Sequence, residues 1–496
     1  MTSRTTRMLL LSALVGGSVL CAGIPASADT TDDLLLKLLH KGILSKAEYN
    51  ELKKRKSTEA PPPAPVAVAR PAPAPAPPPP ASTVAGISTG SGGFVRMMDK
   101  GVGLHIGDVD LTFSGEINGF YVNNAPSSPG PTKVVHGGLA SVGGDDNSSV
   151  RNGLLPGDFN FDLKTVQEGL DIGVHFGFYP GLNNVTQVGG ANSPGSPQAL
   201  GTTGIDFRQQ YVTIGRSDLG TFKIGRDIGF FGGEAILNDF TLFGVGTAAG
   251  NIAPTNTSLG RIGLGYIYAD WIPQITYTTP DFRGFTAGIG IFQPFDAANF
   301  SGDSAVLSAQ NEPQVQAKLN YILPTDPDAL FKAKLWTNIV TQNLKSRGFA
   351  AGDTLQQGAS TRGWGWDFGG KLDYGPAELV AYGYIGEGIG TTGLFFDAVS
   401  PNGQARSSNG YYIQGSYTLF KKLTFSASYG LSHLDQGSGE FNPLLVKDND
   451  SYAVGVKYGL TSWVNLIGEF THTTSTAHGG NEAEDDTIAI GAITFF

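Results

Sequence analysis

The sequence predicts an all-β chain: a transmembrane antiparallel β-barrel of about 16 strands, preceded by a short N-terminal helical hairpin and a Pro-Ala linker. Three observations predict it. From Leu111 onward, apolar and polar residues alternate with a period of two. Short turns alternate with long polar connections, and the chain ends on an aromatic strand at Phe496.

Residues 1–28 read as a secretory signal, with Arg4 and Arg7 as its basic region, Met8 to Leu20 as its apolar run and Ala26-Ser27-Ala28 as a cleavage site. The apolar run is too short to span a bilayer as a helix, and no later stretch reaches about 18 apolar residues. Either the mature chain is soluble or it crosses a membrane as strands. The one cysteine, Cys21, lies inside the signal, so no disulfide framework, thiolate metal site or cysteine nucleophile is expected. The 33 basic residues less Arg4 and Arg7 leave 31 against 43 acidic ones. An acidic, exported chain is a poor binder of nucleic acid. Glycine is abundant, 70 of 496 residues, while hydropathy stays near zero. A barrel with a lipid face and a wet lumen needs that balance, because alternate residues meet opposite solvents.

Residues 29–56 read as a helical hairpin. Asp32 to Lys41 is leucine-rich and stops at Gly42; Ser45 and Glu48 form a capping box for a second helix ending in Lys53-Lys54-Arg55-Lys56. Leu35, Leu38, Leu39, Tyr49 and Leu52 make too small a core for an independent domain, so the hairpin self-associates or docks. The linker, residues 57–90, holds 11 of the 29 prolines between positions 61 and 80. As polyproline II that stretch reaches roughly 60 Å. It is either an inert tether or a periplasmic arm touching peptidoglycan or neighbouring protomers.

Residues 91–496 form the barrel domain. Leu111, Phe113, Gly115, Ile117, Gly119 and Tyr121 share one face, opposite Thr112, Ser114, Glu116 and Asn118. The same alternation sets Leu170, Ile172, Val174, Phe176 and Phe178 against Asp171, His175 and Tyr179, and Val315, Ala317, Leu319 and Tyr321 against Gln314, Gln316, Lys318 and Asn320. These segments run about 9 to 12 residues, the length that crosses a bilayer at a tilt. Tight turns fall at Gln167-Glu168-Gly169, Ser217-Asp218-Leu219, Asp281-Phe282-Arg283, Gly375-Pro376, Lys421-Lys422 and Thr461-Ser462, with a longer one at Pro324 to Ala329. Long connections at 123–157, 180–204 and 388–408 separate them. With both termini on the periplasmic side, these turns give about 16 strands, or 18 if the 261–279 segment adds a hairpin. The last strand, Thr487 to Phe496, would close against the first, since an exposed apolar edge aggregates. Thr494 stands where an aromatic is usual in the C-terminal signal read by the barrel-assembly machinery.

Residues 206–226, DFRQQYVTIGRSDLGTFKIGR, and 275–290, ITYTTPDFRGFTAGIG, resemble the general trimeric porins of the Gram-negative outer membrane. The resemblance rests on a strand with arginine and aromatic residues, a Gly-Thr-Phe turn, a Gly-Arg entering the third loop, and a Tyr-x-Thr-Pro-x-Phe-x-Gly-Phe hairpin. It implies a homotrimer in outer-membrane lipid and lipopolysaccharide, without cofactor or metal, passing small hydrophilic solutes and ions by diffusion. It further implies a third loop folded into the barrel, with acidic residues facing basic ones on the wall. Arg208 is then the wall arginine, on a strand that places Arg208 and Gln210 opposite Phe207 and Tyr211. Arg226 is the arginine entering the loop, Glu234 and Asp239 are the carboxylates of the Gly229 to Ser258 segment, and Arg261 is a second wall arginine. Arg151 is a weaker candidate.

Other signals carry less. Gly388, Gly390 and Gly393 spell a dinucleotide fingerprint with no helix to meet a phosphate. Gly302-Asp303-Ser304 has no patterned histidine partner, and the seven histidines form no metal-ligand pair. Clustered Ser, His and Asp or paired rim carboxylates, which a barrel enzyme needs, are not found. Two alternatives stay open: a substrate-specific porin for sugar, carboxylate or phosphate, with Trp336, Trp364 and Trp366 as aromatic contacts or girdle residues, and a barrel that anchors the envelope through its hairpin and linker.

Overall fold

The computed structural model describes residues 95–98, 102–143, 145–183, 205–248, 251 and 257–496, with Lys46 and Asn50 as two helical positions ahead of them. The chain divides into two units, Met1–Thr83 and Val84–Phe496. Lys46 and Asn50 fall within the predicted second helix; the rest of the hairpin, the signal and the linker lie outside the described residues.

Nineteen strands occupy the described part of the second unit. They open with β1 (Val95–Met97), β2 (Val102–Ile106), β3 (Val109–Pro126) and β4 (Asn147–Arg151). Next come β5 (Asp158–Gln167), β6 (Leu170–Pro180), β7 (Ile205–Arg216), β8 (Gly220–Ile228), β9 (Trp271–Thr278), β10 (Phe285–Phe292) and β11 (Gln314–Ile322). The remainder are β12 (Phe331–Lys345), β13 (Ser360–Tyr374), β14 (Ala377–Glu387), β15 (Ser407–Leu419), β16 (Leu423–Leu434), β17 (Val446–Gly459), β18 (Val464–Ala477) and β19 (Glu482–Phe495).

Antiparallel pairing runs from β3 to β5, then through each successive strand to β19, which pairs back onto β3. With β1, β2 and β4 outside the ring, the nineteen strands leave a closed barrel of sixteen. The alternative of 18 fails because residues 261–270 form turns and isolated bridges of a long loop, and β9 begins only at Trp271. The closing seam runs from Asp485 paired with Pro126 to Phe495 paired with Glu116, and the last residue extends it. Gly115 and Phe496 exchange backbone hydrogen bonds of 3.2 and 3.1 Å. A β-carbon at Gly115 would lie 2.4 Å from the Asp158 carbonyl oxygen and 2.8 Å from the Phe496 ring, so only glycine lets the strand ends meet. Below that point β2 takes over the wall, pairing Val102 with Phe113 through Ile106 with Val109.

One end of the barrel carries the short turns. The Glu168-Gly169 hairpin has φ of 51° and 78°, the positive pair that matches the twist of adjoining strands. The other end carries the long loops. On the outer face Ile117, Ile224, Ile289, Leu335, Trp366, Ile413, Val454 and Ile490 are exposed in a continuous belt, an arrangement that is stable against lipid and not against water. Trp364 and Trp366 belong to that belt, whereas Trp336 is buried on the inner side. The hydrophobic core sits inside the ring: Phe231, Ile236, Leu242, Ile262, Leu307, Ile389 and Phe395 from the loops pack on Trp336, Val340, Tyr382, Tyr384 and Tyr412 of the wall.

Candidate functional site

The connection between β8 and β9, residues 229–270, is folded against the inner wall over its described residues, 229–248, 251 and 257–270. Its path is set by lumen-facing polar side chains that accept its backbone N–H groups. Phe230 and Phe231 donate to Gln316 Oε1 of β11 at 2.7 and 2.9 Å, and Gly232 donates to Asp367 Oδ2 of β13 at 2.7 Å. A short helix follows, α1 (Gly233–Leu237), whose Ala235 carbonyl accepts from the Tyr412 hydroxyl at 2.9 Å. Phe240 then donates to Gln414 Oε1 of β15 at 2.8 Å, and Val245 and Gly246 donate to Glu469 Oε2 of β18 at 2.7 and 3.0 Å. Beyond these, Ala248 accepts from Arg151 Nη1 at 2.8 Å. A buried backbone donor left without an acceptor costs about 1–3 kcal/mol, so this ladder fixes where the loop lies. Glycine supplies the bends: Gly232 has φ +75°, and a β-carbon there would meet the Ile267 carbonyl oxygen at 2.5 Å.

Ile236 and Leu237 of α1 line a cavity of about 1040 Å³. Arg208, Arg226, Asp158, Asp270 and Asp296 are its charged lining, beside apolar loop residues such as Leu237, Phe243, Leu259 and Phe396.

The predicted charges divide on this framework. Arg208 is buried on the lumen side of β7, with its guanidinium carbon 5.3 Å from the centroid of the Tyr179 ring. The alternation predicted for its strand is corrected: Gln209 and Tyr211 face the lumen with His175 and Asp227, while Gln210 and Ile214 turn outward. Arg208 nonetheless points inward, because the β6–β7 register shifts between Gly177 and Tyr179 and a bulge re-aims the side chain. Arg226 shares the register of the exposed Phe222 and Ile224 and borders an outer groove of about 730 Å³ as well as the cavity. Glu234, on α1, bonds Lys334 Nζ of β12 at 2.5 Å and faces Asn320 Nδ2 at 3.5 Å.

Asp239 and Arg261 are buried between loop and wall and do not line the cavity. Asp239 caps the turn Phe240–Phe243 by accepting from Thr241 N at 3.0 Å, and it also accepts from the Tyr266 hydroxyl at 3.0 Å. Arg261 belongs to the loop and not to a strand. Its Nη1 reaches Ser451 of β17 at 3.2 Å, and burial lowers its guanidinium from the usual value, an effect that Asp239 partly offsets. Arg151 is likewise a loop anchor.

Sequence reading missed Lys223 of β8, Lys318 of β11 and Lys334 of β12, together with the acceptors Gln316, Asp367, Gln414 and Glu469. Their signal was the polar phase of each alternating strand, visible but not ranked. Among the described residues no group of three or more His, Cys, Asp or Glu is placed to hold a metal.

A closed sixteen-strand barrel with an apolar belt, a polar lumen and a loop folded inside defines the class of membrane channels. The chain belongs to the Gram-negative porin family, whose family model matches residues 103–478, and it is an outer-membrane channel protein. Solved structures share the fold at low identity. The outer-membrane channel DcaP of Acinetobacter baumannii matches with a TM-score of 0.56 and 15% identity, over 78% of this chain and 97% of that one. An anion-selective porin from Comamonas acidovorans matches with a TM-score of 0.50 and 15% identity, over 78% and 100%. No curated protein matches the sequence.

Proposed function

We propose that the protein is a diffusion porin, in which the 229–270 loop narrows a water-filled lumen so that small hydrophilic solutes and ions pass down their gradients. The observation that supports this reading is the loop's attachment to the inner wall at Gln316, Asp367, Gln414 and Glu469. Of the predicted charges, Arg208 and Arg226 line the cavity and Glu234 reaches the lumen from α1 in its pair with Lys334, while Asp239 and Arg261 brace the loop. Opposed charges across a low-dielectric opening orient water and polar solutes and make apolar ones pay desolvation.

In this reading the short turns face the periplasm, the signal 1–28 is removed on export, and the hairpin 29–56 and linker 57–90 leave the hairpin available to peptidoglycan. Lipid and lipopolysaccharide surround the belt, and β19 is the strand that the barrel-assembly machinery engages. A homotrimer follows the family. Its contact face is the outer aromatic cluster of Phe113, Phe159, Phe161, Phe178, Phe207 and Phe496, whose neighbouring rings lie 4.9 to 6.5 Å apart.

Purified protein in a planar bilayer tests the reading. Stepwise conductance is expected, and a folded, heat-modifiable barrel that conducts nothing would overturn it.

A further inference from the structure

Three lysines on the lumen faces of β8, β11 and β12 each hold their ammonium over an aromatic ring. Lys223 is 4.6 Å from the Tyr211 centroid, Lys318 is 4.4 Å from Phe230, and Lys334 is 5.9 Å from Trp336. Two are neutralised by carboxylates: Lys223 pairs with Asp227, and Lys334 pairs with Glu234 at 2.5 Å. Among the described residues, Lys318 has no carboxylate within ion-pairing distance, 4.0 Å.

The placement of Lys318 is specific. It shares its face of β11 with Gln316, which receives the Phe230 and Phe231 N–H groups, and with Asn320, which faces Glu234. The ammonium therefore stands at the root of the inward loop, beside the neutralised pairs. Its stem lies across Gly288 of β10, where a β-carbon would be 2.8 Å from Lys318 Cε, so the missing side chain at 288 makes room for it. A ring face balances only part of a full positive charge. The remainder acts across a lumen whose low-dielectric walls focus the field.

We infer that Lys318 is an anion-binding step in the solute path, a transient site for small anions, chloride and carboxylates alike, that tips the channel toward anions. The inference rests on the diffusion-porin reading. It runs against the chain's formal charge of −10. Six of the 43 acidic residues, Asp145, Asp146, Asp448, Asp450, Glu482 and Asp486, lie at the long-loop end, away from Lys318. A lysine suits transit better than a fixed guanidinium fork, because its flexible stem and single point charge release a partner readily.

Reversal potentials of the full-length protein in chloride and acetate gradients at low salt provide the test, comparing wild type with Lys318→Arg and Lys318→Met. Wild type and Lys318→Arg should prefer the anion; Lys318→Met, which keeps the stem packed on Phe230, should lower the anion-to-potassium permeability ratio about two-fold or more. The difference should fade near ~1 M salt, where the Debye length is about 3 Å. An unshifted reversal potential in Lys318→Met overturns the inference, as does a wild-type channel that prefers potassium. Altered heat stability with an unshifted potential means that Lys318 only braces Phe230, which also overturns it. Absence of any channel would instead strike the porin reading itself.

Discussion

At the residue scale, charge position matters more than charge total. Arg208 reaches the lumen only through the bulge between Gly177 and Tyr179, and Glu234 reaches it from α1. Their neutralisation should act with opposite sign. Arg208→Gln should move the reversal potential toward cation preference, and Glu234→Gln toward anion preference, each by a few-fold in permeability ratio at low salt, on the order expected for one charge in a narrow pore. No movement in either variant would remove these residues from the selective region. The wall arginine was legible because its strand carried a compound motif. The lysines were not, since a lysine in the polar phase of a strand is also what a solvated rim position looks like, and only strand register tells the two apart.

At the element scale, the inward loop and the outer lid are held by different chemistry. The loop hangs on carboxylates and amides of the wall, and Gln316 and Glu469 each hold two N–H groups. Glu469→Ala should leave two buried N–H groups without an acceptor, at about 1–3 kcal/mol each. The expected signs are noisier, larger single-channel steps from a barrel that remains heat-modifiable; steps of wild-type size and noise would show that the remaining anchors suffice. At the long-loop end, Arg406 pairs bidentately with Glu440 at 2.5 and 2.9 Å and donates to Ser304 at 2.7 Å, joining three loops. Asp303 joins the same lid through Asn442 at 2.8 Å and His136 at 2.5 Å. Partial burial raises the Asp303 carboxyl, but those hydrogen bonds and the nearby charges of His136 and Arg406 outweigh it and leave it below the usual value. A depressed carboxyl stabilises the folded state above its unfolded value and loses that contribution as pH falls through the folded one. The lid should therefore hold at neutral pH and loosen below about pH 4. Hydrogen exchange across residues 299–304 as pH is lowered should show this in wild type and not in Asp303→Asn.

At the scale of the whole molecule, stability resides in ring closure, and the N-terminal unit is separate from it in the chain. Deleting residues 29–84 while keeping the signal should leave conductance unchanged, since the sixteen-strand ring begins at Val109. Loss of conductance would assign the hairpin a part in assembly, and loss of envelope integrity with intact channels would favour an anchoring role. Removing Phe496 should lower the yield of heat-modifiable barrel, because the Gly115–Phe496 bonds are the last link between first and last strands.

The sequence by itself determined the barrel, its seven short turns and the strand on which it closes, because a period of two and turn chemistry are local properties that survive without tertiary context. It also determined that the 229–258 segment carries Glu234 and Asp239, and that 206–290 resembles the porins. Tertiary structure decided what those charges meet. Asp239 and Arg261 became braces and Arg226 turned to the outer register. Lys318 came to stand beside two neutralised lysines, Lys334 of the next strand and Lys223 of a strand far from it in sequence. The reason is physical: facing is set by register, register by a single bulge or loop anchor, and a one-residue slip exchanges lumen for lipid.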